Sequence, residues 1–301
     1  MRAIKAFLKS HPLLSYFALT FAITWGLFVL AVGGPGGIPA TKEEFTTLPL
    51  LAILAVLVGP SVSGIVLTGL VYGREGFRDL LTRMRRWRVG ARWYAVALLT
   101  APLVLTAVLI PLWLISPVFL PGIFASEAKV SFVLMNIVVA LIVGIFEELG
   151  WTGFAVPTLL RLRYSVLATG LIVGVLWGAW HLLFNDIWAS VAISGGLPPA
   201  LFAVVWGLTF LAGQLPAYRV LMVWVYERTN GSLLLAMLMH ASYAASTFII
   251  NPLAGPGAMS GASLLVYSLV SAAATWVVVA MLAVATRGNL SRQPPPRRQV
   301  A

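Results

Sequence analysis

Cysteine is absent from this 301-residue chain, and acidic side chains are scarce, nine in all. Without cysteine there is no disulfide, no thiolate metal ligand and no cysteine nucleophile. Charge of either sign is thin: 10% of the residues are charged, against about 25% in a soluble domain. Hydrophobic residues make up 60%. Such a chain cannot clothe a water-facing surface. The expectation is a polytopic membrane protein, an all-α bundle of about eight transmembrane helices embedded in a lipid bilayer. A net charge of +11 would suit nucleic acid, but the basic residues sit in short loops between apolar runs. There they set topology and meet lipid headgroups, so nucleic acid is excluded as a partner.

Apolar stretches long enough to span lie near 13–32, 48–72, 92–117, 130–156, 165–184, 200–226, 231–250 and 263–285. Each reaches the roughly 20 residues that a membrane crossing needs. The first follows Arg2, Lys5 and Lys9 as a signal peptide would, but its run exceeds the ~7–15 residues of a signal core, so a retained anchor is expected. With the N-terminus inside, 18 of the 20 Lys and Arg residues fall on inside segments, leaving only Lys42 and Lys129 outside. The positive-inside rule thus predicts both termini in the cytoplasm. One transmembrane domain, 1–286, is expected, with its motif-bearing core at 130–250. Residues 287–301, which include "RQPPPRRQVA", read as a disordered basic cytoplasmic tail. In "GREGFRDLLTRMRRWRVGARW", Phe77, Leu80, Leu81 and Met84 recur at helical spacing among arginines; an interfacial amphipathic helix and a solvated basic loop both fit.

Ionisable groups inside spans cost about 2.5–3.5 kcal/mol each on insertion scales and usually serve a purpose. Four stand out: Glu147 and Glu148 in "LIVGIFEELGWTGFAVP", His181 in "VLWGAWHLLF" and His240 in "LLAMLMHASYAAS". Measured from the nearest basic loop, Glu147, His181 and His240 lie roughly 21, 27 and 18 Å along three different helices. They share a band within the hydrocarbon, with His181 the deepest and in need of a tilted or broken helix. Adjacent helical residues point about 100° apart, so the two glutamates need not share a proton and can do different work. A carboxylate beside a neutral imidazole can hold and deprotonate a water, and a second imidazole can stabilise an oxyanion. The same four groups could hold zinc, although the HExxH pattern is absent. Ser242 and Ser246 read as helix-packing residues.

At these residues the chain resembles the CAAX protease and bacteriocin-processing (CPBP) family of intramembrane endopeptidases. That family carries EExxxR, FxxxH and HxxxN on successive core helices, read here as "EELGWT", "WGAWH" and "HASYA". The resemblance is patchy over 59–98 and strong over 141–246. It implies that Glu147 activates water with help from His181, that Glu148 supports it, and that His240 helps form the oxyanion hole. It places Trp177, Trp151, Thr152, Ala244 and Asn185 at the substrate pocket, with Trp177 keeping an aromatic wall at the family's Phe position. It implies a peptide or membrane-protein substrate and a bacterial or archaeal plasma membrane; no cofactor is expected, with zinc left open. Two positions depart from the pattern: Thr152 stands at the motif's Arg and Ala244 at its Asn. Arg219 is the candidate to replace the cation and Asn185 the amide. The departures also leave open a non-catalytic membrane scaffold or immunity protein of the same fold. A transporter is a third reading, without the paired broken helices expected in its two halves.

Overall fold

The computed structural model describes residues 2–38, 44, 47–183, 198–252 and 259–291. Among them the secondary structure is helical throughout, with no strand. In chain order the helices are α1 (Arg2–Ser10), α2 (Pro12–Ala31), α3 (Leu50–Leu67), α4 (Gly73–Met84), α5 (Ala91–Ile115), α6 (Lys129–Gly150), α7 (Val156–Arg161), α8 (Val166–Trp180), α9 (Pro199–Trp206), α10 (Gln214–Arg228), α11 (Leu233–Ile250) and α12 (Gly261–Ala285). Among the described residues seven candidate spans are long and apolar enough to cross a membrane, and α8 is a shorter apolar helix. This is the polytopic bundle expected from the run lengths.

Apolar side chains alone cannot drive helices together in lipid, so close backbone approach must do much of the work. α6 lies at the centre of it. A Cβ added at Gly144 would come within 2.6 Å of the Met237 carbonyl on α11, and one at Gly150 within 2.1 Å of the Pro60 carbonyl on α3. Glycine at these two positions lets α6, which carries both glutamates, seat against α3 and α11. On the far side α8 packs on α10. Ser242 on α11 donates to the Leu98 carbonyl on α5 at 2.7 Å, a bond between helices in keeping with a packing role.

Three stretches differ from unbroken spans, the first where α3 passes through a π-helical turn, Thr68–Tyr72, before α4. α6 passes through a π-helical turn, Trp151–Ala155, before α7. The run at 200–226 is two helices: α9 ends in a π turn, Gly207–Leu211, and α10 starts afresh at Gln214. Gly213 makes that break, since a Cβ there would fall 1.4 Å from the Leu208 carbonyl oxygen. Pro216 then sits in the first turn of α10, where a missing N–H costs nothing because no intrahelical acceptor exists. α8, capped by Ser165 whose hydroxyl accepts from the Ala168 amide, stops at Trp180. Fifteen residues reach about 22 Å, short of a ~30 Å hydrocarbon core. His181 is the C-cap residue of α8 and is part-buried.

Between α4 and neighbouring loops the arginines find specific partners. "GREGFRDLLTRM" is helical, but its faces differ from the simple amphipathic pattern: Phe77 and Leu81 are exposed, whereas Leu80 and Arg83 are buried. Arg161 pairs with Asp79 at 3.2 Å, Arg86 donates to the Asn230 carbonyl, and Arg228 donates to the Asn289 carbonyl at 2.6 Å. The loops around residues 85, 162, 230 and 289 therefore meet at one end of the bundle. Of the stretch 287–301 expected to be a tail, residues 287–291 are described and Leu290 is buried; the remainder, like Lys42, lies outside the described residues.

Candidate active site

Glu147 and Glu148 occupy the last turn of α6 and diverge, as adjacent helical residues must. Both are buried, at 4% and 0% exposure. Glu147 turns towards α8. Its Oε2 accepts two indole N–H bonds, from Trp177 at 2.9 Å and from Trp151 at 3.2 Å. Trp151 is one turn further along the same helix, the spacing at which side chains meet. With both donors on Oε2, Oε1 remains for other work.

Glu148 turns towards α10 and α11. Arg219 Nη1 donates to its Oε1 and Oε2 at 2.8 and 2.9 Å. His240 Nδ1 lies 2.7 Å from Oε1. The Thr152 hydroxyl, again one turn along, donates to Oε2. Arg219, the residue expected to replace the missing cation, is fully buried, at 0% exposure. A guanidinium can be held there because a carboxylate neutralises it and the Trp177 ring lies 4.2 Å from its Cζ.

The histidines differ. A carboxylate already bound by arginine can only accept, so His240 donates through Nδ1–H, and its Nε2 lies 3.9 Å from Glu147 Oε2. The His240 ring packs against Trp177 with centroids 5.0 Å apart. His181 Nδ1 lies 2.7 Å from the Trp177 carbonyl. A carbonyl only accepts, so this ring also carries its proton on Nδ1 and, when neutral, presents Nε2 as an acceptor. Trp177 touches His181 as well, at 5.6 Å between centroids. Its indole is thus the shared wall between the two histidines, Glu147 and Arg219.

Of the residues expected at a substrate pocket, Trp151, Thr152 and Trp177 are buried and turn their polar atoms to the carboxylates. Ala244 is buried one turn beyond His240 and offers no donor. Asn185 lies outside the described residues. Sequence reasoning took Trp177 for an aromatic wall and missed both indole bonds to Glu147. The four-residue step from Glu147 to Trp151 was the readable signal for one of them; the bond from α8 had none. For a metal, no group of three or more histidine or acidic side chains among the described residues is arranged as a ligand set.

Fold and site together define a polytopic helical membrane protein with a carboxylate–histidine–arginine cluster buried between its core helices. Comparison with known proteins is concordant. A family profile described as type II CAAX prenyl endopeptidase Rce1-like matches residues 129–246, the segment holding all the cluster residues. CAAX prenyl protease 2 of Methanococcus maripaludis is 26% identical over 178 residues. That alignment covers 58% of this chain and 62% of the relative, so the chain spans somewhat under two thirds of that protein's length. Over residues 129–246 the chain is thus similar to the type II CAAX prenyl endopeptidase family.

Proposed function

We propose that the protein is an intramembrane endopeptidase of glutamate type. The observation that carries this reading is the charge inventory of the buried cluster. Two carboxylates and one guanidinium leave one negative charge in a medium that tolerates none, so the cluster has a place for one mobile proton. With that proton on His240, the charges of Glu147, Glu148, Arg219 and His240 balance. Glu147 is then a free carboxylate base, and His240 Nε2–H is a donor.

In the forward reaction Glu147 Oε1 takes a proton from a water, the oxygen attacks the peptide carbonyl, and His240 Nε2–H donates to the oxyanion that develops. Collapse of the tetrahedral species breaks the C–N bond. The proton taken by Glu147 goes to the leaving amine. His181, with its acceptor Nε2, supplies the second anchor for the attacking water. Glu148 holds the His240 ring in its Nδ1–H form. Peptide segments within or beside the membrane are the substrate class, and no metal is needed for any step.

The test is cleavage of a peptide or membrane-protein library by the purified chain, with Glu147→Gln as control. Glutamine keeps the shape of the side chain but cannot take the proton. Turnover is expected to vanish in Glu147→Gln while the protein remains folded. Equal cleavage by both proteins would remove Glu147 from the mechanism. Ala244, which lacks the donor that the family motif has at that place, favours the second reading, a non-catalytic scaffold of the same fold; complete absence of cleavage by the wild type would support it.

A further inference from the structure

The geometry points to Arg219 as the positioning residue of the site: from α10 it supplies the counter-charge that α6 lacks at position 152, and through Glu148 it sets the orientation and proton pattern of His240. Three observations carry this. Arg219 is fully buried, and one nitrogen, Nη1, makes both carboxylate contacts. Thr152 donates to the same carboxylate from one turn along α6, where a long cationic side chain would also reach Glu148. Glu148 Oε1 is shared between Arg219 and His240 Nδ1, so the state of one contact governs the other.

The inference has a physical corollary. Room and charge at Glu148 suffice for one guanidinium. Placing arginine at 152 beside Arg219 would crowd two guanidinium groups around Glu148, whose oxygens already hold Arg219 and His240. Arginine at 152 should therefore harm the wild type, yet help a protein from which Arg219 has been removed. A side chain that merely filled space would not show this reversal of sign.

The experiment uses the full chain in detergent or nanodiscs, with three readouts: turnover, the midpoint of thermal unfolding, and the ring 15N signals of His240 in histidine-labelled protein. The turnover readout rests on the proposed peptidase activity; the other two do not. Arg219→Ala leaves Glu148 buried without its guanidinium, held only by His240 and Thr152, and a loss of about 100-fold or more in turnover is expected, together with a lowered midpoint. Thr152→Arg alone is expected to lower both. The double variant Arg219→Ala/Thr152→Arg is expected to recover at least about tenfold over Arg219→Ala, to raise the midpoint, and to restore the Nδ1–H pattern of His240.

If Arg219→Ala does not fold, Arg219→Ala/Glu148→Gln decides. With both charges removed it should fold with a midpoint close to wild type. Three results would overturn the inference: an Arg219→Ala protein with wild-type midpoint and His240 signals, a double variant no better than Arg219→Ala, or a Glu148→Gln companion that brings no recovery of stability. A wild type without peptidase activity would count against the proposed function alone, because the midpoints and ring signals still test the pairing.

Discussion

Two adjacent glutamates in a chain with nine acidic residues are explained by the 100° turn between neighbours on a helix. One faces α8 and meets indoles; the other faces α10 and α11 and meets a guanidinium and an imidazole. The separate duties were legible from helical geometry alone, and the partners at four-residue spacing were within its reach. Arg219 was legible by residue type as the substitute for the missing cation, and it does meet Glu148; the bond from Trp177 was not, because it depends on which helices pack side by side. Trp177→Phe isolates the indole bond: the ring packing stays and the N–H to Glu147 Oε2 is lost. Trp151 still holds that oxygen, so the carboxylate loosens without being freed. Steady-state kinetics should show kcat lower by about tenfold, or ~1.4 kcal/mol, with KM nearly unchanged. A higher KM with kcat intact would assign Trp177 to substrate contact.

At the scale of elements, the site depends on irregular helices, and these were the least legible features. Hydropathy shows a run and its ends; it does not show a π turn within it. Gly213 and Pro216 were visible in the sequence, yet whether they kink or restart a helix is decided by packing, here by the close approach to the Leu208 carbonyl. The π turn after Glu148 widens the helix and leaves carbonyls without their ordinary donors. Arg83 fills that need from α4: it donates to the Gly153 carbonyl at 2.9 Å and the Thr152 carbonyl at 3.3 Å, and also bonds the Tyr226 hydroxyl at 3.1 Å and Asp79 at 3.0 Å. An arginine that reads as one of many surface charges is thus a buried clamp on the turn that carries Trp151 and Thr152. Arg83→Met should lower stability by about 3 kcal/mol, because several buried acceptors lose their donor together. The same change at Arg78, which is exposed, should cost little. Equal unfolding midpoints for the two variants would show that the clamp does not hold the turn.

Across the whole molecule, the bulk composition foretold a helical membrane bundle, and the short loops foretold which helices are neighbours in the chain. Charge asymmetry carries the remaining topological information. The Arg161, Arg86 and Arg228 contacts gather four loops at one end, while Lys129 begins α6 far from them. From Lys129 to Arg161 the chain runs as a 33-residue candidate span, about 50 Å if helical throughout and ample for one crossing. Burial of Arg219 removes one residue from the inside tally and leaves the bias intact. We therefore expect the arginine-rich end to face the cytoplasm. Absence of cysteine makes a direct measurement simple, since any thiol introduced is unique. Lys129→Cys and Tyr164→Cys both change exposed residues on either side of that crossing. In intact cells a membrane-impermeant maleimide should label Lys129→Cys at once and Tyr164→Cys only after the membrane is opened. Labelling of both from outside would mean that α6 and α7 do not cross together. The reverse pattern would place the arginine-rich end outside, against the charge rule, and would move the site to the outer half of the membrane.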